Sequence, residues 1–184
     1  ICDGGCVGSI GRLGKDNGGI AMKVYHGSIQ EIRFPLAKAG RPNLDFGRGF
    51  YVTDIRRQAE EWAERIGLRM AETPMINVYE LDMELACSKY RVLKFKDYDK
   101  EWLDFIVASR SGKTSWMNYD MVEGGVANDR VIDTIEAYMI GNMTLEMALG
   151  ELAKHRPNNQ LCLINQALID ECLHFVSVET VNLK

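Results

Sequence analysis

Two β-prone runs bracket the patterned part of the chain, Lys23–His26 and Leu173–Val181, and every strong helical pattern lies between them. Strand and helix do not alternate regularly, as a doubly wound parallel sheet would need, so the order points to an α+β fold. Gly27 stops the first run, and Ile29–Gly49 reads as a loop interrupted by Pro35 and Pro42. Phe50–Thr53 is a second short β-prone run. Asp54 is the expected N-cap of a helix over Arg56–Arg69, with Ala59, Trp62, Ala63 and Ile66 at helical spacing. Met75–Leu81 alternates like a strand with one wet face, and Arg91–Phe95 is a further strand candidate. A helix is expected from Asp99 to about Ala108, with Trp102, Phe105 and Ile106 on one stripe. Ser111–Asp129 is glycine-rich and reads as irregular. Val131–Ile140 and Thr144–Lys154 read as two helices, and Pro157 stops the second. Leu161–Ile164 reads as a buried strand and Ala167–Cys172 as one or two helical turns.

Residues 1–21 hold seven glycines and no aromatic residue. Such a stretch cannot bury enough surface to offset its ordering entropy. It is expected to be a disordered or non-native leader, with one domain over residues 22–184. Apolar residues make up 46% of the chain and charged residues 26%, the balance of an ordinary globular protein. A net charge of -4 argues against binding nucleic acid or anionic membrane by bulk charge. Five scattered cysteines without a CxxC pair, three unpaired histidines and no basic-then-apolar opening fit a reduced cytoplasmic protein without a metal site or signal peptide. Ser111–Thr114 ends like a phosphate-binding P-loop, but Val107 stands where that loop needs glycine. No serine or cysteine sits in a strand-to-helix elbow.

Three motifs carry the chemistry. Tyr25-His26-Gly27-Ser28 ends the first strand. Phe46-Gly47-Arg48-Gly49-Phe50-Tyr51-Val52-Thr53-Asp54 leads into the second strand and the helix after it. Asn158-Asn159-Gln160 opens the buried run Leu161–Ile164. Together they resemble the poly(ADP-ribose) polymerase and diphtheria-toxin branch of the ADP-ribosyltransferase superfamily. The order of motifs, with Ala127-Asn128-Asp129 between the second and third, also resembles an uncharacterised bacterial family of transferase-like proteins, some with the look of toxin components. The resemblance spans about residues 23–178. It implies a split β-sheet core with flanking helices, NAD as co-substrate without a metal, and transfer of ADP-ribose to a protein or nucleic-acid target. An antitoxin-like partner also belongs to that picture, and a membrane does not.

Each motif position has a physical role in that picture. Gly27 lets its backbone N–H and C=O approach the nicotinamide carboxamide. His26 orients the ribose through a hydroxyl, and Ser28 adds a polar contact. Tyr51 offers a face for the ring to stack on, worth about 1 kcal/mol beyond burial. Trp62 either completes that sandwich or is helix core. Gly47 and Gly49 keep side chains out of the ligand's way. Gln160 stands where efficient members of the branch carry a glutamate, and its amide holds a hydroxyl but brings no negative charge. Either transfer is slow, or a carboxylate such as Asp120, Glu123 or Asp129 compensates, or the domain binds NAD without turnover. Residues 119–129 read as a solvated loop or as an acceptor-side loop at the mouth of the site. An RNA phosphotransferase on the same fold would need more basic residues than the scattered Arg41, Arg48 and Arg130.

Overall fold

The computed structural model describes residues 21–127 and 129–182. The leader assigned to residues 1–21 thus lies outside it except for Ala21, as does Asn128. The fold is α+β, with seven strands in two sheets and six α-helices among the described residues. Strands β1 (Ala21–Ser28), β3 (Met75–Asp82) and β7 (Leu173–Thr180) form an antiparallel sheet with β3 in the middle. Strands β2 (Phe50–Val52), β6 (Gln160–Leu163), β5 (Met121–Gly124) and β4 (Val92–Lys94) form the second sheet in that order. Its β4–β5 pair is parallel and the rest antiparallel. Among the described residues one isolated antiparallel bridge, Tyr25 to Thr53, links the backbones of the two sheets.

The layers follow from which side chains each face offers. Helix α1 (Arg56–Met70) turns Ala59, Ala63 and Gly67 inward, a stripe of small residues at four-residue spacing. It lies so close to β1 that a Cβ on Gly27 would stand 2.2 Å from the Ala59 carbonyl oxygen. The other face of the first sheet shares a core with the second: Val24, Tyr79 and Leu81 pack with Phe50, Val52, Met121, Leu161 and Leu163. Helices α2 (Met83–Lys89) and α6 (Gln166–Cys172) contribute Ala86, Leu168, Ile169 and Cys172 to it. The far face of the second sheet is covered by α3 (Lys100–Arg110), α4 (Asp129–Met139) and α5 (Leu145–Leu152), around Trp102, Ile106, Ile135 and Leu152.

Several expectations change on folding. Met75–Asp82 has no wet face: as the central strand it is covered on both sides, and only Glu80 is exposed. Helix α2 was not expected, because seven residues are too few to show a period; Asp82 caps it by accepting from the Leu85 amide. Residues 119–127 are not a surface loop. They hold β5, a strand made by pairing on both sides, with Met121, Val122 and Gly124 buried. Trp62 is not helix core but 46% exposed, because α1 buries only its small residues.

Gly49, just before β2, lies tight against β6: a Cβ there would meet the Cys162 sulfur at 2.5 Å and the Leu163 carbonyl oxygen at 2.6 Å. Gly49→Ala is therefore expected to cost about 2 kcal/mol or more by overpacking. Thermal melting should fall by roughly 5 °C or more for a chain of this size. An unchanged melting temperature would show that the β2–β6 contact is looser than described.

Candidate functional site

The site is built where the sheets part. At the bridge, the Tyr25 amide donates to the Thr53 carbonyl at 2.7 Å and the Thr53 amide to the Tyr25 carbonyl at 3.0 Å. Backbone groups in a strand alternate from side to side. Tyr25 therefore turns its N–H and C=O away from β3, and so does Gly27, two residues on. A continued ladder would pair Gly27 with Tyr51. Instead the His26 side chain reaches in and binds the Tyr51 carbonyl through Nδ1 at 2.7 Å. Among the described residues nothing completes the outward N–H and C=O of Gly27, although Gly27 is buried. A buried backbone donor and acceptor left together without partners is uncommon.

His26 has a defined chemistry there. Burial pushes its pKa below the ordinary value, and the bond to the Tyr51 carbonyl opposes this without winning. A neutral imidazole that meets a carbonyl through Nδ1 must carry its proton on that atom. Nε2 then keeps its lone pair and is an acceptor by type. The ring rests against Phe50, with centroids 4.5 Å apart.

Tyr51 projects from β2 into the core of the far face, whereas its neighbours Phe50 and Val52 point into the core between the sheets. Its hydroxyl donates to the Gly47 carbonyl at 2.6 Å and accepts from the Phe46 amide at 3.2 Å. The oxygen is thus committed to the turn before the strand, and what the half-buried Tyr51 has left for a ligand is ring face. That turn has its own anchor: Asp45 takes both Nε (2.8 Å) and a terminal nitrogen (2.7 Å) of Arg110. Gly47 sits at φ +83° with Trp116 where a Cβ would go. Gly47 and Gly49 thus answer to packing as well as to ligand access.

Gln160 opens β6, level with Gly124 on one side and one step past the Val52–Leu161 pair on the other. Two residues before Cys162, it shares the Tyr51 face of the sheet. It is half-buried. The residue before it is tied down: the Asn159 carbonyl accepts from Thr53 Oγ1 at 2.7 Å and Gln58 Nε2 at 3.2 Å. Ser28, half-buried, accepts from the Gln30 amide at 3.2 Å and so shapes the turn after β1. Trp62, on α1 beside Ala63, carries the Arg65 guanidinium over its exposed ring. An open hollow of about 450 Å³ runs along Gln30–Phe34, just past Ser28, and is not itself the Gly27 edge.

Two of the carboxylates weighed as substitutes for a glutamate, Asp120 and Glu123, have other occupations. Burial alone would raise the Asp120 carboxyl; the Arg91 amide, Asn165 and the Arg91 guanidinium outweigh it and hold it below the ordinary value. Glu123 accepts from Asn159 at 3.2 Å and faces Lys94 at 3.0 Å, on the opposite face of the sheet from Gln160. Asp129 opens α4. Cys162 is no nucleophile: burial pushes its thiol up to about 12. Among the described residues no group of three or more His, Cys, Asp or Glu is placed to hold a metal, and no helix is long and apolar enough to cross a membrane. Arg41, Arg48 and Arg130 are all exposed. Thr53, Gln58 and Asp45 were not singled out in the sequence. A threonine ending a strand three residues before a helix was the available signal for the first.

The His26 arrangement can be read directly. Because its folded pKa is lowered, His26 favours the folded state above the ordinary histidine value of about 6.5 and disfavours it as pH falls below that. Nitrogen NMR should find His26 neutral at pH 6.5 with the proton on Nδ1. A half-protonated ring at that pH, or a proton on Nε2, contradicts the geometry.

No curated protein and no solved structure matches the chain. One family model does, over residues 22–175, which takes in all three motifs, the whole second sheet and the first sheet up to the start of β7. The chain belongs to that family, described as "Protein of unknown function (DUF3990)".

Proposed function

We propose that this domain is a mono-ADP-ribosyltransferase that binds NAD in the split between the sheets and cleaves its nicotinamide–ribose bond. The observation that carries the reading is the buried backbone edge at Gly27. A primary carboxamide offers one acceptor and two donors, and Gly27 offers a donor and an acceptor side by side. His26 Nε2, held as an acceptor next to that edge, suits a ribose hydroxyl. The remaining face of Tyr51 suits a flat ring. Gln160, on the Tyr51 face, suits a further hydroxyl of the ribose.

In this reading the chain's work is positioning. Gly27 fixes the nicotinamide, and His26 and Gln160 fix the sugar, so that the reacting carbon faces an incoming acceptor. The carbon–nitrogen bond breaks with its electron pair going to nicotinamide. The acceptor's lone pair forms the new bond to the anomeric carbon, and the acceptor's proton is lost to solvent. The target is a protein or nucleic acid, with an antitoxin-like partner as a further candidate, in a reduced, cytoplasmic setting.

A second reading has its own support. Gln160 is neutral, and Asp120 and Glu123 are engaged elsewhere. A site without a carboxylate at the developing positive charge is a weak catalyst, and a domain that only binds NAD fits that equally. The discriminating experiment incubates the purified protein with labelled NAD and a cell lysate. A labelled macromolecule is the outcome of the transferase reading; bound, intact NAD and no labelled product is the outcome of the binding reading.

The Gln160 position gives the sharper measurement. Gln160→Glu places a charge where positive charge develops, so nicotinamide release at saturating NAD should rise by roughly tenfold to a hundredfold. Gln160→Ala should lower it by removing a hydroxyl contact. Equal rates for Gln, Glu and Ala in folded proteins would remove Gln160 from the site.

A further inference from the structure

Thr53 stands at the backbone bridge between the two sheets, and it is buried to 5% exposure. Its backbone N–H and C=O are both used on Tyr25 of β1. By the alternation of a strand they cannot also pair with β6 on the other side. The side chain makes that second connection. Oγ1 donates its one proton to the Asn159 carbonyl at 2.7 Å and accepts from the Ile55 amide at 3.1 Å as α1 begins. One residue therefore bonds the strand that carries His26 and Gly27, the residue directly before Gln160, and the approach to α1. The Asn159 carbonyl accepts in addition from Gln58 on the first turn of α1.

We propose that the Thr53 hydroxyl is a positioning group that sets Gln160 against the Gly27 edge, through its bond to the Asn159 carbonyl. The proposal rests on the transferase reading for its consequence in catalysis, and on the hydrogen bonds alone for its consequence in structure. Val52 and Leu161 are the last paired residues of β2 and β6. Without the hydroxyl, the residue before β6 loses its bond to the end of the β2 segment, and Gln160 is left with its pairing to Gly124 on the far side from the edge. Asn159 keeps its bonds to Gln58 and Glu123, so the strand stays in the sheet. The expected fault is in placement rather than folding.

Thr53→Val keeps the branched shape and removes the hydroxyl, and Thr53→Ser keeps the hydroxyl. In the full 184-residue chain, nicotinamide release by Thr53→Val should fall by about tenfold to a hundredfold in kcat, the scale of a small misplacement. KM for NAD should stay within about threefold, because the Gly27 edge is intact, and Thr53→Ser should restore most of the rate. In parallel, amide relaxation should show Gln160 losing order in Thr53→Val and regaining it in Thr53→Ser, while Gly27 stays as ordered as in the parent. If no form of the protein releases nicotinamide, the transferase reading fails and the relaxation measurement alone decides the positioning role. An equally ordered Gln160 in Thr53→Val, or equal faults in the Val and Ser variants, overturns the proposal.

Discussion

The Tyr25–Thr53 bridge and the His26 bond beside it govern the divergence of the two sheets and the open Gly27 edge. A ladder that ran on past the bridge would join β1 to β2 and make a single curved sheet. The imidazole takes the Tyr51 carbonyl that Gly27 would otherwise use, and the strands diverge. Both sheets can then bury a face against the other, giving the shared core around Val24, Phe50, Tyr79 and Leu161. The divergence leaves a polar edge inside the protein. Burying an unpaired amide or carbonyl costs on the order of 1–3 kcal/mol each. A fold that keeps such an edge gains when a ligand completes it.

The motif residues serve packing and proposed chemistry together, which changes how their identities are to be understood. Gly27 has to be glycine whether or not a ligand binds, since α1 fills the space where its Cβ would stand. Gly49 has to be glycine because Cys162 and Leu163 fill the same space on the other wall. Glycine at these positions is therefore weak support for NAD, and the direction of the freed backbone groups is the stronger support. Tyr51 is similar. Its hydroxyl fastens the Phe46–Gly47 turn, and that turn is fastened in its own right by Arg110 on Asp45. Removing the hydroxyl would disturb the fold before it disturbed any stacking.

Much of this was legible in the sequence because local and tertiary demands agreed. The strands at both ends, the Asp99-capped helix and the Thr144-capped helix all formed as their patterns indicate. What stayed hidden was decided by contacts remote in sequence. Residues 121–124 are a strand because β4 and β6 flank them, not because Met-Val-Glu-Gly favours one. Trp62 and Ile66 share a helix face with Ala59 and Ala63 in spacing alone; the backbone of β1 accepts only the small pair. The three motifs were visible as residue types, and their convergence was not. No period or propensity could indicate that Thr53 would bond both Tyr25 and Asn159.

The account rests on the Gly27 edge being a receptor for a carboxamide, and the amide of Gly27 reports on that directly. Nitrogen–proton correlation spectra of the full chain, titrated with nicotinamide and separately with nicotinic acid, make the comparison. Nicotinic acid has the same ring but no N–H to give the Gly27 carbonyl, so it leaves that acceptor unpaired. The expected result is a saturable shift of the Gly27 amide with nicotinamide, and at least about tenfold weaker binding of nicotinic acid, the scale of one lost hydrogen bond at a buried acceptor. A Gly27 amide indifferent to nicotinamide at saturating concentration, or one that responds equally to both compounds, contradicts the account.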